Sequence, residues 1–210
     1  ITRLGKVEEG STTTDYDPDE IKRRISVSTA LAPCEWQGHK LNILDTPGYA
    51  DFIREVVQAM RVVDGALILT DAVSGLEVGP ETAWREAEKS LVSRMFFINK
   101  MDRENASFET ALQGLKTRFG DKVVPLQVPV GSQQNFTGVV DLLTMKVYTD
   151  DKSEPQDATG ELRDVAQGYR DGMVEAVVEL DDELINEYIE GKEVTVEEPR
   201  GGIRKGAQYR

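Results

Sequence analysis

The sequence predicts an α/β fold, a doubly wound and mainly parallel sheet, from three observations. Short apolar runs alternate with stretches whose apolar residues recur at helical spacing. Two of the runs break off in polar, turn-forming residues, at Asp45-Thr46-Pro47-Gly48 and at Asn99-Lys100-Met101-Asp102. Both breaks fall at strand ends, and open α/β sheets gather ligand groups at such ends.

In chain order, residues 8–20 (EEGSTTTDYDPDE) are polar, rich in turn formers and aperiodic, which predicts a mobile loop. Apolar residues alternate from Ile25 to Leu31, Gln37-Gly38 supplies a turn, and the pattern resumes at Leu41. This predicts an antiparallel hairpin feeding a buried strand over Leu41–Leu44. Cys34 and His39 fall in that hairpin and read as a small buried hydrophobe and a surface turn residue. Phe52, Val56, Met60 and Val63 mark one face of a helix, and Gly65–Ala72 reads as the next core strand. Pro80 opens a helix whose buried face holds Trp84, Ala87 and Leu91. After the strand that ends at Asn99, Phe108, Leu112, Leu115 and Phe119 define one more helix.

The composition shifts near Val123. Val123–Val130 and Gly138–Thr149 predict strands of a small separate sheet, and Asp150–Gly160 predicts an acidic linker. Two helices with solvated charged faces are expected over Leu162–Leu180 and Glu183–Glu190.

The two strand-end stretches carry the chemistry. A carboxylate at Asp45 suits a hard cation such as Mg²⁺, usually through water, and Gly48 lets its N–H approach a terminal phosphate closely. N-K-x-D is an arrangement that reads guanine. The Asp102 carboxylate can accept from the ring N–H and the exocyclic amine, Asn99 can address the imidazole edge, and the Lys100 stem can lie across the base. Adenine cannot satisfy that acceptor pair, and a site built for one hydrogen-bonding partner rejects the other by about 10⁴-fold.

Composition limits what these stretches belong to. With 210 residues, 39% hydrophobic, and no apolar run long enough to span a bilayer, one sizeable core plus an appendage is expected, with no membrane partner. A net charge of −13 argues against independent nucleic-acid binding by phosphate neutralisation. The single cysteine, Cys34, and the absence of a visible signal at the first residues fit a reducing, cytoplasmic setting. No G-x-x-x-x-G-K-[ST] occurs, so a first strand and phosphate loop are expected upstream of Ile1.

The stretches VEEGSTTTDYDPDE, IKRRISV, DTPGYADF, MRVVDGALILTDAVSGLEVGPETAWREAE, FINKMDRENASF and GGIRKGA together resemble the GTP-binding domain of translation elongation factor G. The resemblance covers nearly the whole chain. It implies a Ras-like P-loop GTPase domain over residues 1–122, truncated at its N-terminus, with an inserted α+β subdomain over residues 123–210. It implies GTP/GDP and Mg²⁺ as ligands, the ribosome as partner through the full-length protein, a monomer, and hydrolysis coupled to movement of tRNA and mRNA. Four further domains would follow. On this resemblance Asp45, Thr46, Pro47, Gly48, Asn99, Lys100, Met101 and Asp102 bind nucleotide, Ser26 and Asp45 serve Mg²⁺, and Gly48 and Tyr49 occupy the catalytic positions.

Two residues depart from the family pattern. Ser26 stands in Arg23-Arg24-Ile25-Ser26 where the elongation factors usually have the threonine of R-G-I-T, which keeps the hydroxyl and loses the methyl. Tyr49 stands where the family usually carries a water-orienting histidine; a phenol can hydrogen-bond that water but is larger and is not cationic at neutral pH. Slow hydrolysis is therefore expected, and the substitutions resemble an elongation-factor-G-like paralogue group. The alternative is a GTP-dependent ribosome-binding regulator with little or no hydrolysis.

Overall fold

The computed structural model describes residues 5–6, 9–120, 123–150, 153–179 and 201. The chain forms two compact units, Ile1–Ala66 with Val78–Arg94, and Leu67–Glu77 with Met95–Arg210.

In the first unit, β1 (Ala30–Trp36) and β2 (His39–Asp45) pair antiparallel, with Ala30 opposite Asp45 and Trp36 opposite His39. Gln37 and Gly38 turn the chain with φ of 47° and 76°, the pair of positive angles that suits the twist of a two-residue hairpin. Two helices, α2 (Ile53–Ala59) and α3 (Val78–Lys89), share a core of Val56, Met60, Ala87 and Val92, onto which Ile53, Val63, Ala66 and Ala83 pack. The Arg94 guanidinium sits 4.0 Å from the Trp84 ring centroid and 3.2 Å from Glu88.

Several expectations for this unit are corrected. The segment before β1 is a built structure instead of an aperiodic loop, since it contains α1 (Pro18–Arg23), begun by Asp17 and Glu20 in a reciprocal capping box. β2 is not buried: Leu41 and Ile43 are exposed, because the strand's hydrogen-bonded neighbour among the described residues is β1 alone. α3 starts at Val78, so Pro80 lies inside its first turn, where a missing N–H costs nothing. Leu91 lies past the helix end with φ 56° and is 75% exposed; Val92 takes the buried place expected of it.

β3 (Gly65–Asp71) and β4 (Ser93–Asn99), which belong to the second unit from Leu67 and Met95 onward, are hydrogen-bonded neighbours. The chain passes from one to the other through α3. β3 buries one face, and β4 leaves its inner residues Phe96 and Ile98 half-buried. Ile68 and Thr70 are buried, whereas Leu67, Leu69, Met95 and Phe97 are between 48% and 57% exposed, so Gly65–Ala72 is not a core strand on both sides. Helix α4 (Phe108–Phe119) follows the expected phase, burying Phe108, Leu112 and Leu115, and is capped by the Ser107 hydroxyl accepting from the Thr110 N–H.

Beyond Val123 the strands β5 (Gln127–Val130), β6 (Gly138–Asp141), β7 (Lys146–Tyr148) and β8 (Gln156–Asp157) make a four-stranded antiparallel sheet in sequence order. β8 falls inside the stretch expected to be a linker. Only glycine fits at position 138, where a Cβ would lie 2.2 Å from the Tyr148 carbonyl oxygen. Helix α5 (Gly160–Val178) buries Ala166, Met173, Val174, Val177 and Val178. Its Arg170 donates to the carbonyls of Leu142 and Leu143. The helix expected over Glu183–Glu190 lies outside the described residues.

One core runs through this unit. Ala72, Met101, Ala106, Phe108 and Leu112 pack with Val128, Val140, Leu142, Ala166 and Met173, so packing is continuous across Val123. Among the described residues no helix is long and apolar enough to cross a membrane.

Leu67 and Leu69 on β3, with Met95 and Phe97 on β4, are alternate residues of neighbouring strands and leave a large apolar area open. The isolated 210-residue chain is accordingly expected to bind an apolar fluorescent dye, and Leu69→Lys with Phe97→Glu should cut that uptake severalfold without changing the far-ultraviolet circular dichroism. Equal dye uptake by the double variant would refute the assignment of the open face.

Candidate functional site

The first strand-end loop belongs to the first unit. β2 places Asp45 at its carboxyl end, half-buried, and Thr46 follows it. Pro47 is fully buried and fixes the exit of the chain, while Gly48 is exposed. A Cβ built at Gly48 would meet no protein atom within 4 Å, so the protein's own packing does not demand glycine there. Tyr49 is 58% exposed, and its carbonyl accepts from Phe52 N–H at 3.0 Å to begin a short 3₁₀ turn over Ala50–Phe52. Gly79, in the first turn of α3, has a role the sequence did not disclose. A Cβ there would lie 3.2 Å from the Gly48 carbonyl oxygen, so the missing side chain permits the helix to approach this loop.

Ser26 lies on the segment between α1 and β1, and its hydroxyl donates to Asp15 at 2.7 Å. That segment is organised by Glu20, a charged residue only 2% exposed. One Glu20 oxygen accepts from the N–H groups of Val27 (2.9 Å) and Ser28 (3.0 Å), and the other accepts from Asp17 N–H (3.1 Å). The Val27 and Ser28 bonds, the largest causes, hold this carboxyl below its ordinary range against the opposing effect of burial. One residue on, Thr29 N–H donates to Glu55 of α2 at 2.8 Å. Thr29, through its hydroxyl and its N–H, lowers the Glu55 pKa, although only the N–H makes a hydrogen bond of good geometry. Nothing in the spacing of Glu20 marks it as an acceptor for residues seven and eight positions later.

The second strand-end loop belongs to the second unit. Asn99 closes β4, and its backbone carbonyl accepts from Ala72 N–H at 2.9 Å. The Ala72 carbonyl in turn accepts from Ser107 N–H at 3.1 Å, so one buried residue holds both ends of the 99–107 loop. Within the loop, Asn99 Oδ1 accepts from Lys100 N–H at 2.8 Å, which directs the amide donor end away from the backbone. Lys100 has φ 61°, and its ammonium meets Asp71 Oδ2 at 2.7 Å. Met101 is buried in the core, and its carbonyl accepts from Gln133 N–H at 2.8 Å. Asp102 is exposed. The loop thus buries its third residue and presents Asn99, Lys100 and Asp102 to solvent.

The donor set suits Mg²⁺. Asp45 and Ser26 offer hard oxygens, and among the described residues no three acidic, histidine or cysteine side chains gather into a cage. Mg²⁺ characteristically takes one or two protein oxygens and completes its octahedron with water and phosphate.

These features define a class, and comparison with known proteins agrees with it. The family described as Elongation factor Tu GTP binding domain matches residues 1–194, and the chain belongs to that family. It is 44% identical over 207 residues to elongation factor G of Thermotoga sp. (strain RQ2) and of Thermotoga maritima, matches that cover 96% of this chain and 30% of theirs. A crystal structure of ttk003000868 from Thermus thermophilus superposes with a TM-score of 0.88 at 34% identity, covering 99% of this chain and 32% of that one. The chain therefore spans under a third of the length of these relatives, and its α/β, Ras-like architecture with an inserted subdomain is the one the sequence predicts.

A carboxyl whose folded pKa is depressed stabilises the fold above its unfolded pKa and loses that contribution as pH falls through the folded value. Glu20 is such a group, its ordinary value being 4.5. Amide exchange protection at Val27 and Ser28 is thus expected to persist below pH 4.5 and to drop as Glu20 protonates. In Glu20→Gln protection should be weaker by about tenfold near neutrality and insensitive to acid, as loss of a charged acceptor shared by two N–H groups costs about 1–3 kcal/mol. An unchanged pH profile in that variant would contradict the role given to Glu20.

Proposed function

We propose that this chain is the GTP-binding part of an elongation-factor-G-like translational GTPase that binds and hydrolyses GTP on the ribosome, in the cytoplasm. The observation that carries the reading is the 99–107 loop, pinned at both ends to Ala72 and seated on buried Met101, with Asn99, Lys100 and Asp102 facing outward. In this reading Asp102 accepts from the guanine ring N–H and amine, the Asn99 amide donates to the imidazole edge, and the Lys100 stem covers the base. Thr46 and Pro47 shape the approach to the phosphates, and Gly48 offers its N–H to the terminal one; a ligand, and not internal packing, accounts for glycine at that position.

Asp45 and Ser26 would hold Mg²⁺, which when bound neutralises charge on the terminal phosphates. Ser26 would exchange its bond to Asp15 for that role. Exposed Tyr49 stands at the position of the water-orienting residue and makes hydrolysis slow, since a phenol cannot match a cationic imidazole beside a phosphate. Residues 1–122 are read as the nucleotide-binding domain and residues 123–210 as a subdomain inserted into it, the insert sharing a core with the guanine loop. Contact with the ribosome is assigned to the complete protein, as a monomer. No observation favours the alternative of a regulator that does not hydrolyse.

Two measurements on the complete protein test these roles. Asp102→Asn should weaken GDP binding by on the order of 10²-fold and transfer preference to xanthine nucleotides, because an amide can donate to the xanthine 2-oxo group. Retained guanine selectivity would sink the base-reading assignment. Tyr49→His should raise ribosome-dependent hydrolysis by about tenfold or more, and unchanged or lower turnover would remove the account of Tyr49.

A further inference from the structure

Lys100 does not wait for a ligand with a free side chain. β3 and β4 are neighbours in one sheet, and they end in Asp71 and Asn99, so the residue after Asn99 emerges beside the β3 carboxyl end. There the Lys100 ammonium meets Asp71 Oδ2 at 2.7 Å, across 29 residues of sequence. The carboxylate is itself immobilised. Its other oxygen accepts from the N–H groups of Val73 (2.7 Å) and Ser74 (3.2 Å), and the turn it caps is closed by Gly75 N–H to the Asp71 carbonyl at 2.8 Å and by the hydroxyl of buried Thr70 to the Gly75 carbonyl at 2.8 Å. These contacts, with the Lys100 bond the largest cause, hold the Asp71 carboxyl below the usual range, so it is ionised at neutral pH. Lys100 is fixed at its other end too, by a left-handed backbone and by its N–H bond to Asn99 Oδ1.

We infer that Asp71 is a positioning residue for nucleotide binding, holding the Lys100 side chain extended along the β3 end so that its stem already lies where the purine face will rest. The assignment rests on the guanine-loop reading above and deepens it. The physical gain is preorganisation. A free lysine carries the rotamer entropy of its long stem, and a side chain ordered before the ligand arrives gives up less of it on binding. Because the contact is with the base face and not its edge, it is indifferent to the exocyclic 2-amine that Asp102 reads.

Asp71→Asn separates this role from the turn. An asparagine keeps an oxygen for the Val73 and Ser74 N–H groups and removes the anion that holds the ammonium. In the complete protein carrying this chain, that variant should weaken GDP and IDP binding equally, by about fivefold, the equivalent of recovering half of the lysine entropy. Lys100→Met should lose at least as much, and Asp71→Asn added to Lys100→Met should cause no further loss. GDP affinity equal to wild type in Asp71→Asn, losses that add in the double variant, or a loss confined to GDP would each overturn the assignment. Failure of the unsubstituted protein to bind GDP at all would bring down the guanine reading itself, and this assignment with it, and the wild-type titration alone identifies that case.

Discussion

The backbone of Ala72 is the constraint on which the 99–107 loop depends. Its N–H takes the carbonyl of Asn99 and its carbonyl takes the N–H of Ser107, so the loop leaves β4 and enters α4 from one fixed point. Each bond is worth about 1 kcal/mol net, but breaking one would strand a buried polar group at a cost of about 1–3 kcal/mol. The Ala72 side chain lies in the same core as Met101, Ala106 and Phe108, so burial and hydrogen bonding act on the same few atoms. The rigidity is local and reaches the exposed side chains of the loop through Asn99 Oδ1 and Asp71.

The segment before β1 reaches the same end by a different route. Here a buried carboxylate substitutes for a sheet. Glu20 satisfies the N–H groups of Val27 and Ser28 just after Ser26, and Glu55 satisfies that of Thr29. Backbone donors that would otherwise need water are paired with two anions from helices, and such charge-assisted bonds are about twice as strong as neutral ones. A loop held by carboxylates and not by packing can be rebuilt around a different partner when a stronger acceptor, such as a phosphate, arrives. That suits Ser26, whose hydroxyl is bonded to Asp15 and not to a core group.

The legible parts of the fold are those governed by local physics. The hairpin turn, the phase of α4, and the strand-end positions of Asp45 and Asn99 follow from periodicity and turn chemistry. The departures share a cause. Leu41, Ile43, Leu67, Leu69 and Leu91 are expected to be buried because they are apolar, yet whether a strand face is covered depends on which neighbours it has, and no window of sequence contains that. In the same way α1 is hidden in the sequence because its start signal, Asp17 with Glu20, sits in a stretch dominated by turn formers.

By itself the sequence determined the chemistry available, namely a carboxylate and a glycine after one strand and an N-K-x-D set after another, because residue type and the order of strand and turn are local properties. Tertiary structure alone decided what fixes those groups. The bonds from Asp71 to Lys100, from Ala72 to Asn99, and from Glu55 to Thr29 join residues separated by 29, 27 and 26 positions, and only strand pairing and helix packing bring such partners within hydrogen-bond reach.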